Sequence, residues 1–277
     1  MTKDLVSVIM PSYNCGRFVE ETIRSVQAQT YKNWEILFVD DCSSDDTMEK
    51  VLAMKAADSR IKVFQNSKNS GAAISRNRAL REAQGEWIAF LDSDDLWFPE
   101  KLERQIRFMK ENDYHFSYTA RNVVDENSKE IGRIATGPKH ITERRMFWYC
   151  WVGCLSVMYD AKTVGVVQIA DLKKNNDYAI WLKAIKKADC YYLDEILATY
   201  RVRKGSISHD SKLKLVKWHY LLFKDGENMN AIHACYCTMR NLFFGFFKKK
   251  LYVKNFNLDD DKSRKSYAQN ISNRRPS

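Results

Sequence analysis

The first 112 residues alternate short apolar runs with longer amphipathic stretches, and this alternation limits the possible folds more than any other feature of the chain. The apolar runs cover residues 5–10, 34–39, 61–65 and 87–91, and the stretches with helical spacing cover residues 17–29, 45–57, 71–83 and 99–112. Strands that alternate with helices of this length indicate βαβ units. Because the runs are apolar throughout, both faces of the sheet should be covered. We predict an α/β fold with a mostly parallel central sheet.

A polar cluster follows each of the four predicted strands. The clusters cover residues 11–14, 40–46, 66–71 and 92–95. In open parallel sheets, ligands bind beyond the carboxyl ends of the strands. We therefore expect the four clusters to form one site at one edge of the sheet.

Asp92 and Asp94 lie two residues apart after the fourth strand, so in an extended backbone their side chains can point the same way. Their oxygens suit a hard divalent cation such as Mg²⁺ or Mn²⁺, which takes further ligands from water and substrate phosphates. The alternative is that Asp94 or Asp95 caps a helix that begins near Trp97. For Asp95 we favour the cap.

Two other clusters carry candidate binding residues. Asp40 and Asp41 end the second strand and provide a second acidic pair, although a solvated turn is the alternative. Arg76 lies in the first turns of the third predicted helix, where an arginine and the helix N-terminus can meet phosphate oxygens. An ordinary surface arginine is the alternative there.

Positive charge is concentrated at the C-terminal end of the chain. Residues 201–277 hold 17 Lys and Arg against 6 Asp and Glu, whereas residues 1–200 have a net charge of −1. This contrast indicates a nearly neutral body and a basic portion with a separate role. Residues 258–277 lack apolar periodicity, and we predict that they are disordered.

Residues 241–254 combine four phenylalanines at helical spacing with three consecutive lysines. One interpretation is a helix that packs on the core and ends in solvated lysines. The other is an interfacial segment, with aromatic rings at the lipid headgroups and lysines on anionic lipid. Nucleic-acid binding is disfavoured because no recognisable nucleic-acid module accompanies the charge.

Other features predict a cytoplasmic protein. The seven cysteines are scattered, odd in number and without zinc-ribbon spacing, as expected for reduced thiols. No window approaches the roughly 18 consecutive apolar residues of a membrane-spanning helix. The first predicted strand begins so close to Met1 that we expect no signal peptide.

The ordered motifs resemble the glycosyltransferase family 2 domain, which has a GT-A type nucleotide-sugar-binding fold. The stretches that carry the resemblance are VSVIMPSYNCGRFVEETIRSVQAQTYKNWEILFVDDCSSDDT, NSGAAISRNRAL and GEWIAFLDSDD. They fall within residues 5–120, and a weaker match continues through NNDYAIWLKA and YRVRKGSIS to residue 210. The resemblance implies a catalytic domain over residues 1–210, with a nucleotide-sugar half (1–120) and an acceptor half (121–210). A helical basic segment (211–257) would follow.

The resemblance implies a nucleotide pocket lined by residues of the first two clusters. Pro11, Tyr13 and Asn14 would contact the nucleotide. Asp41 would accept a hydrogen bond from uracil, and Asp40 lies beside it in the same motif.

The resemblance also implies roles at the reacting groups. Asp92 would lie near the ribose and the metal, and Asp94 would bind the metal that bridges the diphosphate. Asp177 would be the general base, but Asn176 stands where the family typically has Glu. Arg203 stands where the family often has His, and it could donate hydrogen bonds to phosphate.

The function that follows from the resemblance is inverting, Mn²⁺- or Mg²⁺-dependent transfer of a hexose or N-acetylhexosamine. The donor would be a UDP-sugar, and the acceptor a hydroxyl of a polyprenyl-diphosphate-linked glycan in the synthesis of a surface polysaccharide such as O-antigen. The enzyme would be peripheral on the inner face of the cell membrane. The alternative is a non-catalytic nucleotide-sugar or glycan-binding protein. A phosphatase is disfavoured because the DSD motif follows the fourth strand and Leu96 replaces the usual Thr or Val.

Overall fold

The computed structural model describes residues 1–203 and 212–274. The first elements are β1 (Thr2–Ser12), α1 (Val19–Gln27), β2 (Trp34–Asp40), α2 (Thr47–Ala57), β3 (Ile61–Gln65), α3 (Ala72–Glu82), β4 (Gly85–Phe90), β5 (Leu96–Trp97) and α4 (Lys101–Asn112). The next are β6 (Phe116–Val124), β7 (Glu130–Ala135), β8 (His140–Ile141), α5 (Glu143–Trp148), β9 (Val157–Asp160), α6 (Ala161–Val164), α7 (Asn176–Ala184) and β10 (Cys190–Arg201). The last are α8 (Lys212–Leu221), α9 (Ala231–Tyr252), β11 (Val253–Asn255) and α10 (Asp261–Ser272). The end of the weaker family match, residues 204–210, lies outside the described residues.

Four parallel strands form the N-terminal half of the sheet, in the spatial order β4-β1-β2-β3. The second half joins through β9, which is antiparallel to both β4 and β6. β10 is parallel to β6 and antiparallel to the short strands β5 and β8. The predicted α/β fold is confirmed, and its parallel part lies where the alternation of strands and helices predicts it.

The strand register brings the polar clusters to one edge of the sheet. Ser12 at the end of β1 pairs with Asp40 at the end of β2, and Asp40 pairs with Gln65 at the end of β3. β4 ends at Phe90, which pairs with Ile9 of β1. Because these strands are parallel, the loops that follow them all leave the sheet at the same edge, as predicted.

Apolar side chains cover both faces of the sheet. Along β1, Val8 and Met10 belong to one buried cluster, whereas Ile9 belongs to a second cluster on the other face. All three side chains are fully buried. Alternate residues of a strand point to opposite faces, so a continuous apolar run is the pattern of a strand buried on both sides.

Trp181 fixes helix α7 against the end of β4. Its side chain is fully buried, and its ring packs edge-on against Phe90, with the ring centroids 4.8 Å apart. Removing a buried aromatic side chain of this size typically costs about 3–5 kcal/mol of stability. The contact holds Asp177, in the first turn of α7, in a fixed relation to the Asp92–Asp95 loop that follows β4.

The C-terminal tail differs from the sequence-based expectation of disorder. Helix α10 begins after Asp260, whose side chain accepts a hydrogen bond from the Ser263 backbone N–H at 2.8 Å. Tyr267 and Ile271 of α10 are buried in a small cluster of their own with side chains of β6, β7 and β10. Only these two side chains of the helix are buried, so the sequence shows little apolar periodicity. Helix α10 is therefore stabilised by its contacts with distant strands and not by a regular apolar face.

Helix α9 packs on the body along one side only. Ala234, Cys237 and Asn241 are buried, and Phe244 stacks on Trp148 with ring centroids 4.8 Å apart. Within the described residues, no helix combines the length and the apolar character needed to cross a membrane.

Candidate active site

Asp92 and Asp94 lie in the loop after β4, and each carboxylate contacts an arginine. Arg76 donates from Nη2 to Asp92 Oδ1. Nε of Arg203 lies 2.7 Å from Oδ2 of Asp94. Burial raises the pKa of the Asp94 carboxyl; Arg203 opposes this rise, and the charge of Asp92 adds to it. The structure therefore places Arg76 and Arg203, two candidate phosphate-binding residues, beside the candidate metal ligands Asp92 and Asp94.

Asp95 does not cap a helix, so this prediction is wrong. Helix α4 begins at Lys101, and Trp97 belongs instead to β5, which pairs with β10. The buried Asp95 carboxylate accepts a hydrogen bond from the Arg201 backbone N–H at 2.8 Å. Burial and the neighbouring charges of the same loop raise its pKa well above the usual range. Asp95 therefore connects the loop Asp92–Asp95, which we call the acidic loop, to β10.

The carboxylate of Asp41 organises the start of α3. Its Oδ1 accepts hydrogen bonds from Asn66 Nδ2 at 2.8 Å and from the Ser70 N–H at 2.9 Å, and its Oδ2 accepts from the Gly71 N–H at 2.6 Å. Gly71 has φ = 88°, a conformation that favours glycine. The neighbouring Asp40 is fully buried. Its oxygens accept from Ser43 at 2.5 and 2.9 Å and from Gln65 Nε2 at 3.2 Å.

The residues predicted to contact the nucleotide lie where β1 and β2 end. Pro11 is buried in β1, whereas the Tyr13 side chain is 46% exposed. Asn14 has φ = 49°, and its Oδ1 accepts a hydrogen bond from the Ser44 N–H at 2.9 Å. The Asn14 N–H in turn donates to Ser43 Oγ at 2.9 Å. These bonds join the loop that follows β1 to the loop that follows β2, beside the exposed ring of Tyr13.

Arg76 connects the acidic loop to α7. Besides Asp92, its guanidinium donates to Oδ1 of Asn176, at the position where the sequence resemblance implies Glu. Burial opposes the positive charge of Arg76, but the neighbouring acids, Asp92 first, outweigh it and raise the pKa of the guanidinium. The buried arginine therefore lies between the donor-side acid and the predicted base.

Asp177 is half-exposed at the start of α7. Its Oδ1 accepts a hydrogen bond from the Tyr178 N–H at 2.8 Å. The Tyr178 hydroxyl donates to the Met146 carbonyl at 2.6 Å and accepts from Asn241 Nδ2 at 3.0 Å. The residue next to Asp177 is thus anchored from two helices, α5 and α9. This anchoring limits the movement of the carboxylate.

Sequence reasoning missed several polar residues around this site. Arg201 is buried and donates to Glu21 Oε2 at 2.7 Å, to Ser128 Oγ at 2.6 Å and to the Asp94 carbonyl at 2.8 Å. Arg201 lies in the YRVRKGSIS stretch, and the family resemblance of that stretch could have indicated it as a site residue. Arg121 in β6 and Lys248 in α9 also lie near the site, but no local pattern distinguishes them.

The donor set fits a divalent cation that has few protein ligands. In residues 1–203 and 212–274, no group of three or more His, Cys, Asp or Glu side chains is placed to hold a metal. Asp92 and Asp94 offer two hard carboxylate ligands, and burial raises the pKa of Asp94, so a cation beside it would favour its charged form. Mg²⁺ and similar ions commonly bind one or two carboxylates and complete their shell with water and phosphate oxygens.

Comparison with known proteins identifies the family. Residues 7–156 match the family model described as Glycosyl transferase family 2. The chain is 38% identical over 253 residues to an Escherichia coli protein, WfgD, covering 91% of this chain and 97% of the relative. WfgD is named as a UDP-Glc:alpha-D-GlcNAc-diphosphoundecaprenol beta-1,3-glucosyltransferase.

Two solved structures share the fold. TarS of S. aureus (residues 1–349), in complex with UDP-GlcNAc, has a TM-score of 0.65 at 22% identity; the match covers 96% of this chain and 81% of TarS. The mannosyltransferase PcManGT of Pyrobaculum calidifontis, in complex with GDP-Man and Mn²⁺, has a TM-score of 0.56 at 13% identity and covers 96% and 85%. The resemblance seen in the sequence motifs is confirmed: the chain belongs to glycosyltransferase family 2 and is a glycosyltransferase with a GT-A type fold.

Proposed function

We propose that this chain is a metal-dependent, inverting glycosyltransferase that moves a hexose or N-acetylhexosamine from a UDP-sugar to a hydroxyl of a polyprenyl-diphosphate-linked glycan. The product would belong to a surface polysaccharide. The observation that carries the proposal is Arg76, which is ion-paired with Asp92 and donates a hydrogen bond to Asn176, the residue beside the predicted base Asp177. The name of WfgD supports both the class of donor and the class of acceptor.

The nucleotide would lie over the two joined loops that follow β1 and β2. The exposed Tyr13 ring offers a stacking surface, and Asn14 and Asp41 border the same edge of the sheet. Both oxygens of Asp41 already accept hydrogen bonds from the chain, but a carboxylate can accept about four, so capacity for one from the base remains.

Asp92 and Asp94 would hold a divalent metal, and Mn²⁺ in the PcManGT structure supports such an ion in general. When bound, the metal would offset the negative charge that develops on the leaving diphosphate. Arg76 and Arg203, each already beside one of these carboxylates, are placed to donate to phosphate oxygens. Nε of Arg203 lies against Oδ2 of Asp94, and Oδ1 of the same carboxylate would be the ligand of the metal.

Asp177 would remove the proton from the acceptor hydroxyl. Its half-exposed position allows a hydroxyl to approach, and an ionised carboxylate at neutral pH can act as a base when it is correctly placed. The hydroxyl would attack the anomeric carbon on the face opposite the leaving diphosphate. A single displacement of this kind inverts the anomeric centre, so an α-linked donor would give a β-glycoside.

A panel of nucleotide sugars tests this function. Each would be incubated with Mn²⁺ or Mg²⁺ and with a sugar diphosphate that carries an alkyl chain, and free nucleotide would be measured. We expect one UDP-sugar to give release of UDP that depends on both the metal and the acceptor. Release from none of the UDP-sugars, or equal release in the presence of a chelator, would contradict the proposal.

Membrane attachment is a second part of the proposal, and α9 carries it. The helix exposes an apolar stripe at spacings of three and four residues, on the side away from the body; its members are Ile232, Tyr236, Met239, Phe243 and Phe246. Lys249 and Lys250 lie exposed at the end of the same helix. Aromatic and aliphatic side chains beside lysines fit the surface of an anionic membrane.

Replacing Phe243 and Phe246 by serine together is expected to reduce binding to anionic vesicles at least about tenfold, because burial of each phenylalanine contributes on the order of 1.5–3 kcal/mol. Sedimentation with vesicles, at low and high salt, is the measurement. Leu52→Ser, at an exposed apolar position in α2, is the matched control. Equal binding by the double variant and the wild-type protein would exclude this stripe. Truncation is unsuitable, since α10 and β11 pack into the fold.

A further inference from the structure

Two cationic side chains from distant parts of the chain contact one short segment, residues 149–154, which joins α5 to β9. Nζ of Lys248, in α9, donates a hydrogen bond to the Cys150 carbonyl at 2.6 Å. A Cβ atom added to Gly153 would lie 2.3 Å from Nη1 of Arg121, so this guanidinium lies directly against the Gly153 backbone. The two cations therefore lie along the same few residues.

A third cation contacts the end of this segment, and it differs from the other two in forming an ion pair. Arg76 contacts the Cys154 sulfur at 3.8 Å and is paired with Asp92. Arg121 is half-buried and forms no hydrogen bond or ion pair with any residue in 1–203 or 212–274. Burial lowers its pKa, although Asp95 partly opposes this.

Lys248 has unused hydrogen-bonding capacity. An ammonium group carries three N–H donors, and within residues 1–203 and 212–274 Lys248 uses one, on a neutral carbonyl; its nitrogen also lies 5.1 Å from the centroid of the Tyr149 ring. Burial lowers the pKa of Lys248 to about 8, with Arg121 contributing to the decrease and Asp177 opposing it. Placing two cations in a partly buried site is unfavourable unless an anion accompanies them.

We propose that Arg121 and Lys248 form an anion-binding subsite that takes a phosphate group of the acceptor, an inference that rests on the function proposed above. In the proposed function the donor diphosphate would have its own partners at the Asp92–Asp95 loop, namely the metal, Arg76 and Arg203. Lys248 instead lies within electrostatic range of Asp177, which would hold the acceptor hydroxyl. The second subsite is therefore on the acceptor side.

The position of Lys248 also suits an acceptor with an apolar chain. Lys248 directly follows Phe247 in α9, and the Phe247 ring is 38% exposed and lies beside Phe244, with the ring centroids 6.5 Å apart. A sugar at Asp177, a phosphate at Lys248 and an alkyl chain at the Phe247 ring would lie in this order. This order of groups is the order in a sugar–diphosphate–lipid.

The test compares two acceptors that differ only in the phosphates. One is a sugar α-linked through a diphosphate to an alkyl chain, and the other is the same sugar α-linked directly to that chain. Lys248→Gln is expected to raise KM for the diphosphate acceptor about tenfold to a hundredfold, as for loss of a charged hydrogen bond. KM for the phosphate-free glycoside and for the UDP-sugar should change little. Lys248→Arg should restore most of the lost affinity.

Gly153→Ala is an independent variant that keeps every charge. Its backbone angles, φ −113° and ψ 138°, are available to alanine, but the new Cβ must displace the Arg121 guanidinium. It should raise the same KM selectively. Lys262→Gln, at an exposed lysine of α10, controls for general loss of positive charge and should behave as wild type.

The outcomes separate this subsite from the proposed function. Equal KM changes for both acceptors, or a raised KM for the UDP-sugar, would overturn the assignment of the two cations to the acceptor phosphate. A third outcome is that Lys248→Gln weakens binding to anionic vesicles but changes KM for neither acceptor. This outcome would assign Lys248 to a lipid headgroup and would also overturn the proposal. A wild-type protein that transfers to neither acceptor would refute the proposed function itself.

Discussion

Asp94→Ala is expected to lower metal-dependent transfer at least about a thousandfold, because a bound metal supplies several kcal/mol of charge stabilisation to the leaving diphosphate. The variant loses one of the two carboxylates that would hold the ion. It also leaves Arg203 without the carboxylate that lies 2.7 Å from its Nε. Transfer should be measured over a range of Mn²⁺ and Mg²⁺ concentrations, alongside the melting temperature. A modest fall in melting temperature with retained secondary structure would show that the fold survives.

Glu111→Ala is a suitable control for Asp94→Ala. Glu111 is an exposed acid of α4, remote from the loop after β4, and its removal should leave transfer unchanged. Near-wild-type activity of Asp94→Ala after treatment with EDTA would show that the reaction needs no metal at this loop. In that case Arg76 and Arg203 alone would have to stabilise the leaving group.

Asp177→Asn is expected to lower the transfer rate by about 10²- to 10⁴-fold, which is the usual contribution of a positioned base. The amide has nearly the same shape as the carboxylate, and its oxygen can still accept the hydrogen bond from the Tyr178 N–H. It cannot accept the proton of the acceptor hydroxyl. UDP affinity in the presence of Mn²⁺, measured by calorimetry, should remain near the wild-type value.

Asp171→Asn is the matched control for this variant. Asp171 is an exposed acid in the chain that leads to α7, and the same change of side chain there should leave transfer intact. Full activity in Asp177→Asn would remove Asp177 from the mechanism, whereas loss of activity in Asp171→Asn would direct attention to that residue. Asp95 is a poor alternative base because its carboxylate is buried and bonded to β10.

The sequence resemblance implies Glu at position 176, and the Asn found there differs from Glu in its charge. Asn176 accepts a hydrogen bond from Arg76 but adds no negative charge. Glu at this position would compete with Asp92 for the guanidinium. With the neutral amide, the charge of Arg76 remains available to Asp92 and to ligands bound beside it.

The sequence by itself determined the parallel half of the sheet and the edge that carries the site. Continuous apolar runs specify strands buried on both faces, and the polar clusters follow these strands directly. Such features depend on neighbouring residues, so they can be read locally. The motifs at the strand ends were also sufficient to recognise the family. The local pattern wrongly predicted that Asp95 caps a helix, because its actual partner is the backbone of Arg201, which lies 106 residues further along the chain.

Only the tertiary structure determined which polar groups contact each other across long distances in the sequence. Arg76 and Asn176 are 100 residues apart in sequence, and Lys248 and Cys150 are 98 apart. Helix α10, too, is held by contacts with β-strands distant in sequence. Periodicity records which face of an element is buried, but not which distant element covers it. Contacts between polar side chains across such distances leave no local pattern, and they are what bring the acidic loop and Asp177 together around Arg76.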